Sequence, residues 1–310
     1  MTDQLIPATP SSESVQLARF TSRFVRNPGE RAAPRGAALR AVRRFADSGG
    51  LTRLPSGTRA WPVRYGGTPC VWIRPAGTSI GDGALLWLHG GGFVFGSPRS
   101  HRPPAYELAR HTGLPVLLPD YRRAPECPYP AAAKDCLAAY RALLDKGIPA
   151  SKIRLVGDSA GGHLAAGLCN SLLRAGLGLP GRVLLLSPLL DLSCTTALEL
   201  DAVSRDPFVP PSYTIAAASA YAGTTPRSEP GLDVLSQDKA GWPATLIQSG
   251  GTECLLGDSR ALAEQLRAAD VEVELQVWPG QVHVFPVFAK WLPEGRAATR
   301  YAAEFLRDTG

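Results

Sequence analysis

No apolar run in this 310-residue chain reaches the roughly 18–20 residues that cross a bilayer, so nothing in the sequence reads as a membrane span. It also lacks a C-x-x-C pair or any paired cysteine spacing. Cys70, Cys127, Cys136, Cys169, Cys194 and Cys254 are scattered and have no histidine cluster beside them. A zinc module is therefore excluded, and free thiols are expected. Lysine is scarce, at five residues, against an abundance of arginine that reads as genomic base composition. The formal charge of +6 would suit a nucleic-acid binder, yet there is no dense basic run with interleaved aromatics, only a loose excess from Arg19 to Arg44. The first residues carry neither the basic nor the apolar region of a signal peptide, and the chain reads as cytoplasmic. Internal repeats and low-complexity tails are missing as well.

What is present is the balance of a folded globular protein, 45% hydrophobic and 19% charged residues. Residues 1–55 are rich in proline, arginine and alanine, with helical periodicity around Val15–Val25 and Ala37–Ala46. Ala60–Tyr65 and Val71–Arg74, linked through Gly66-Gly67, predict a hairpin. Short apolar runs then alternate with helical stretches. Strands are predicted at Ala84–Leu88, Pro115–Pro119, Ile153–Val156, Arg182–Ser187, Ala244–Ser249 and Glu272–Trp278. Helices are predicted at Ala131–Lys146, Ala160–Ala175, Asp258–Ala269 and Glu294–Asp308. That alternation implies an α/β domain with a mostly parallel central sheet and helices on both faces. Between Leu192 and Trp242 it breaks off. A proline-dotted insertion with a helix-like Tyr213–Tyr221 stands where such sheets admit ligands, and reads as a lid.

The pattern Gly-x-Ser-x-Gly occurs twice, at Gly77–Gly81 and Gly157–Gly161. Only Ser159 has a buried strand leading in and an alanine-rich helix leading out, the context of a nucleophile elbow. Ser79 lies in a polar loop and reads as a loop serine. The helix after Ser159 turns its positive end toward the serine, so the Ala160 N–H is one expected oxyanion donor. His89-Gly90-Gly91-Gly92 follows the Ala84–Leu88 strand. This patch fits neither a dinucleotide nor a P-loop motif. Beside an elbow it reads as backbone N–H groups aimed at an oxyanion.

Of five histidines, His283 alone stands on a late loop after the final predicted strand, where a Ser…acid…His chain order puts the base. His89 reads as a prop of the glycine patch and His163 as a packed residue on the elbow helix, while His101 and His111 fall in or near the segment after the patch. The acid should follow the Ala244–Ser249 strand, and two carboxylates do. Glu253 sits nearer the strand end and Asp258 reads equally as a helix N-cap, so both stay open, with Glu253 placed better to reach His283.

These residues resemble the hormone-sensitive-lipase-like branch of the α/β-hydrolases, the bacterial family IV carboxylesterases, over about residues 60–310. The resemblance rests on His89–Phe93 with Gly96-Ser97 and His101, on Asp120-Tyr121-Arg122 with Ala124-Pro125-Glu126 and Pro128-x-Pro130, on Gly157–Gly162, on Ser187-Pro188-x-x-Asp191, and on Val282–Phe285. It implies the α/β-hydrolase fold as a single domain over 1–310, with a helical cap from about 1–50 and 192–240. It implies a Ser159–His283–acid hydrolase of carboxylic esters, working through an acyl-enzyme without cofactor or metal, with oxyanion donors at Gly91, Gly92 and Ala160. The chain departs from the commonest pattern twice. Glu253-Cys254 stands where Asp-Pro is usual, and Arg123 replaces a leucine.

The expected partner is a small-molecule ester, with no nucleic acid and no stable membrane anchor; a homodimer stays open. A compact cap without an obvious interfacial anchor favours short to medium acyl chains. Phe93, Phe208, Val209, Tyr213, Tyr221 and Phe285 are candidates for an apolar substrate pocket. The same triad would also serve a lactone, amide or carbamate, and the same pocket a non-catalytic receptor.

Overall fold

The computed structural model describes residues 6–31, 36–48 and 53–308. Its frame is an eight-stranded sheet in the order β1-β2-β4-β3-β5-β6-β7-β8. The strands are β1 (Arg59–Tyr65), β2 (Thr68–Arg74), β3 (Ala84–Leu88), β4 (Val116–Pro119), β5 (Ile153–Asp158), β6 (Arg182–Leu186), β7 (Ala244–Gly250) and β8 (Val273–Trp278). The hairpin β1–β2 is antiparallel and joins β4 antiparallel, while β4, β3, β5, β6, β7 and β8 run parallel.

The sequence explains this layering. Every residue of β3, β4, β5 and β6 is buried, as expected of parallel strands covered on both faces. Side chains alternate between the faces. Leu86, Leu88, Leu117, Leu155 and Leu185 enter a core shared with α5 (Ala131–Asp145), α6 (Ala160–Arg174) and α9 (Leu256–Ala268). Leu85, Trp87, Val116, Leu118 and Leu184 enter the opposite core with α4 (Arg102–Thr112) and α10 (Pro293–Arg307). Edge strand β1 instead alternates between exposed and half-buried positions, as one open face requires.

The insertion is more helical than its sequence predicts. It holds α7 (Thr195–Val203) as well as α8 (Pro211–Ala222). At the N-terminal end, α1 (Ser12–Thr21) continues through a π-turn at Ser22–Arg26 into α2 (Asn27–Arg31), and α3 (Gly36–Ser48) follows. Of the expected cap, residues 1–5, 32–35 and 49–50 lie outside the described residues. No helix among the described residues is long and apolar enough to cross a membrane.

Candidate active site

Ser159 ends β5 and begins α6 with φ 52° and ψ −121°, a conformation that costs an L-residue roughly 1–3 kcal/mol and persists only where its surroundings hold it. Those surroundings are backbone. The Ser159 N–H donates to the Leu186 carbonyl at 2.9 Å, and its own carbonyl accepts from Leu189 N–H at 3.0 Å. A Cβ on Gly161 would overlap the Leu88 carbonyl, so only glycine lets α6 cross β3 this closely. Ser159 is half-buried between buried neighbours and remains reachable. Ser79 stands elsewhere, capping a short 3₁₀ turn and accepting the Gly81 N–H at 3.2 Å.

His89–Gly92 leaves the end of β3 beside this turn. Gly91 has φ 114°, and a Cβ there would strike the Phe95 carbonyl. Among the described residues no hydrogen bond occupies the Gly91 or Gly92 N–H. The loop is buttressed throughout. Tyr121 stacks on the His89 ring at 4.1 Å and donates to the His89 carbonyl at 2.6 Å. Arg123 donates to the Gly96 carbonyl, which gives the residue at the leucine position a structural task. Arg43 of α3 donates to the Val94 and Ala124 carbonyls at 2.7 and 3.0 Å and pairs with Glu126.

Glu253 and His283, the expected acid and base, follow the C-terminal ends of β7 and β8. Strands β5 to β8 are neighbours and parallel, so Ser159, Glu253 and His283 share one edge of the sheet. His283 Nδ1 lies 2.6 Å from Glu253 Oε2, and Glu253 Oε1 accepts the Gly250 N–H at 2.7 Å. The histidine loop is pinned by the Val284 N–H, which donates to Ser187 Oγ at 2.9 Å. It is tied to the acid loop by Thr252 Oγ1, which donates to the Gln281 carbonyl at 2.7 Å. Burial opposes an imidazolium at His283. The hydrogen bond and charge of Glu253, with Asp206 and Asp158 behind, outweigh it and hold the pKa above the ordinary histidine value.

Asp258 is elsewhere. Helix α9 begins at Leu256 with Leu255 as its cap, so the expected helix from 258 starts two residues early and Asp258 lies in its first turn. Its carboxylate accepts the Leu190 and Asp191 N–H groups at 2.6 and 2.9 Å, bracing the chain after β6. Burial raises its pKa to about 7 despite those bonds.

The other histidines have local partners. His101 Nε2 meets Asp158 Oδ2 at 3.1 Å, and Trp87 Nε1 donates to Asp158 Oδ1 at 2.8 Å, on the face of α4 and α10. His89 Nδ1 contacts the Gly90 carbonyl, and burial, with His101 nearby, pushes its pKa down to about 3. His163 Nε2 lies 3.3 Å from the Gly231 carbonyl; burial lowers its pKa to about 4, and it lines a cavity of about 300 Å³ with Tyr129, Leu137 and Tyr221. His111 is on α4 with Glu107.

The six apolar pocket candidates divide. Phe93 and Tyr221 stack on each other at 3.8 Å inside the main core, where Tyr221 also borders the cavity beside His163, and Phe285 packs at 5.3 Å on Trp278 in a separate cluster. Val209 is half-buried and gives its carbonyl to Arg26. Phe208 and Tyr213, both half-buried, stand at the site. The Phe208 ring lies edge-on at 6.2 Å from His283, and Tyr213 sits against Gly92 with its buried hydroxyl unpartnered among the described residues.

Asp158, Asp206 and Arg26 are the residues here to which the sequence assigned no task. Their partners are up to 183 residues away in the chain, and neither periodicity nor motif spacing reports such a contact.

Over residues 85–287 the chain matches the family described as the alpha/beta hydrolase fold. An acetyl-hydrolase of Streptomyces hygroscopicus is 40% identical over 247 residues, covering 79% of this chain and 81% of that protein. The esterase LipU of Mycobacterium tuberculosis is 35% identical over 245 residues, covering 76% of this chain and 82% of that protein. A crystal structure of an esterase from the bacterial hormone-sensitive lipase family superposes with a TM-score of 0.86 at 36% identity, covering 96% of this chain and 99% of that one.

Proposed function

The chain belongs to the α/β-hydrolase family, in its hormone-sensitive-lipase-like branch, and we propose that it hydrolyses carboxylic esters with Ser159 as nucleophile, His283 as base and Glu253 as the acid. It is a carboxylic ester hydrolase. The observation that carries the residue assignment is the 2.6 Å contact of His283 Nδ1 with a buried Glu253 carboxylate, on the sheet edge that also presents a strained Ser159.

The steps follow from that arrangement. With Glu253 taking the Nδ1–H, His283 Nε2 is free to accept a proton. It takes the proton of Ser159 Oγ as the oxygen bonds to the ester carbonyl carbon. The carbonyl oxygen gains the negative charge and faces the N–H groups of Gly91, Gly92 and Ala160, the last at the start of α6. Collapse of the tetrahedral species breaks the bond to the alkoxy oxygen, which leaves with the proton from His283. Water then adds to the acyl-enzyme, His283 takes its proton, and the carboxylic acid departs with Ser159 restored.

Helix α8 supports a short to medium acyl chain. Tyr213 and Ala217 come up to Gly92 and close the space above the oxyanion loop. The α1–α3 segment and the 192–240 insertion together form the cap of a single domain in this reading. Its six cysteines are unpaired, which fits the reducing cytoplasm. The test is covalent labelling with an organophosphonate. Modification of Ser159, lost in Ser159→Ala and strongly slowed in His283→Ala, is expected. A folded wild-type protein that takes up no label would overturn the reading.

A further inference from the structure

One buried carboxylate beside the site has no part in the mechanism above. Asp206, in the loop between α7 and α8, is 0% exposed, and each of its acceptor oxygens is met by backbone. Oδ1 accepts the Phe208 and Val209 N–H groups at 2.7 and 3.0 Å. Oδ2 accepts the Cys254 N–H at 2.9 Å, the residue next to Glu253. The Cys254 thiol adds a second tie, donating to the Val209 carbonyl at 3.6 Å.

The loop that carries Asp206 is gripped in turn from the N-terminal segment. Arg26, in the π-turn after α1, is 2% exposed, and all three guanidinium nitrogens are bonded. Nη1 donates to the Asp206 carbonyl at 2.7 Å and the Val209 carbonyl at 3.2 Å. Asp201 of α7 takes the fork at 2.8 and 2.7 Å, and Glu30 takes Nε at 3.1 Å. The same segment also touches the histidine loop at its other end, where Ser14 Oγ lies 3.0 Å from Gln281 Oε1.

A buried carboxylate costs more to hold than a neutral residue of the same shape. Among the described residues no cationic side chain pairs with its carboxylate directly. Its partners are two N–H groups of its own loop, the Cys254 N–H of the Glu253 loop and, across that loop, the imidazole that becomes charged during turnover. We propose that Asp206, clamped by Arg26, is a positioning residue that fixes Glu253 against His283, making the N-terminal helical segment a working part of the catalytic machinery.

The inference rests on Glu253 being the acid. His283 is faced by Glu253 from the loop after β7, by Asp206 from the loop between α7 and α8, and by Asp158 from the end of β5, with the Phe208 ring beside it. Losing the Asp206 charge therefore makes the imidazole easier to deprotonate, besides loosening the acid loop.

The test is steady-state hydrolysis of a short-chain ester by the full chain between about pH 5 and pH 9, for wild type, Asp206→Asn, Arg26→Lys and Glu253→Gln, with circular dichroism to verify folding. Asp206→Asn should lower kcat about 10- to 100-fold with little change in KM, the scale expected when a catalytic group is slightly misplaced. It should also move the acidic limb of the pH–rate profile downward. Arg26→Lys, which keeps the carboxylate but loses the fork, should lower kcat while leaving the limb in place. A folded Asp206→Asn with wild-type kcat and limb overturns the proposal. So does a rise in KM alone, which would assign the network to substrate binding. Should Asp206→Asn not fold, Arg26→Lys decides, and wild-type kcat there overturns it. Glu253→Gln separates the two levels. Near-normal turnover in that variant removes the acid assignment itself, whereas its collapse beside an unaffected Asp206→Asn removes only the positioning role.

Discussion

Glu253, in the loop after β7, and Asp258, in the first turn of α9, are both buried carboxylates, and their surroundings divide them. Glu253 spends one oxygen on its own loop and offers the other to His283, while Asp258 spends an oxygen on two N–H groups of the chain after β6. Glu253→Gln should therefore cost up to about 10⁴ in kcat, the scale of the equivalent amide replacement in a serine-protease triad. Asp258→Asn, whose amide oxygen can still accept the same two N–H groups, should stay within about tenfold of wild type. Single-turnover and steady-state rates on one ester check both, and the reverse order of losses would refute the assignment. The raised pKa of His283 has a second consequence. As the proposed base His283 works only when neutral, so kcat/KM should rise with pH through a midpoint above the ordinary 6.5. A limb centred below that value, measured with an uncharged substrate, contradicts the pairing. Chain order and loop position pointed to His283 and to a choice of two acids. The choice needed side-chain directions, which spacing does not carry.

The strand–serine–helix turn is the element most readable from sequence, because its requirements are local: a buried strand, small neighbours, and a helix start. Gly161→Ala would press a methyl into the Leu88 carbonyl, at a cost of about 1–3 kcal/mol or more, and should lower the urea midpoint and kcat together. A variant with wild-type stability and rate would show that the α6–β3 approach can relax. The insertion was harder to read. Its helix α7 has little amphipathic contrast in sequence, and it is ordered by packing on α9 and by the Arg26–Asp201 pair rather than by its own pattern. The start of α9 misled for a related reason. Asp258 has the chemistry of an N-cap, but its carboxylate is drawn to the chain after β6, and the helix begins at Leu256.

Taken whole, the molecule couples protonation to folding at two of these groups. Burial holds Asp258 at a pKa of about 7 against an ordinary 3.8, so between those values the folded chain binds a proton that the unfolded chain releases, and stability falls as pH rises. His283, raised in the folded state, contributes fully below its ordinary 6.5 and loses that contribution as pH climbs through its folded value, the same direction. Urea midpoints should therefore drop from about pH 5 to about pH 8, and Asp258→Asn should flatten that drop. An unchanged slope in that variant would place the coupling elsewhere. The cap makes its own prediction, that acetyl to hexanoyl esters are hydrolysed with higher kcat/KM than lauroyl or palmitoyl esters, read from a nitrophenyl ester series. The reverse preference would mean that Tyr213 and Ala217 do not close the space above Gly92.

Alternating apolar strands and helices, the turns that carry the glycine patches and Ser159, and the late-loop position of His283 could all be read from the chain, since each depends on neighbours a few residues away or on order along it. Folding alone assigned Glu253 its contact with His283, turned Asp258 toward the β6 loop, and carried Arg26 and Asp206 to the back of the acid loop. Those are contacts between residues distant in sequence, and their partners are set by where the sheet edge, the α1–α2 segment and the α7–α8 loop meet in space.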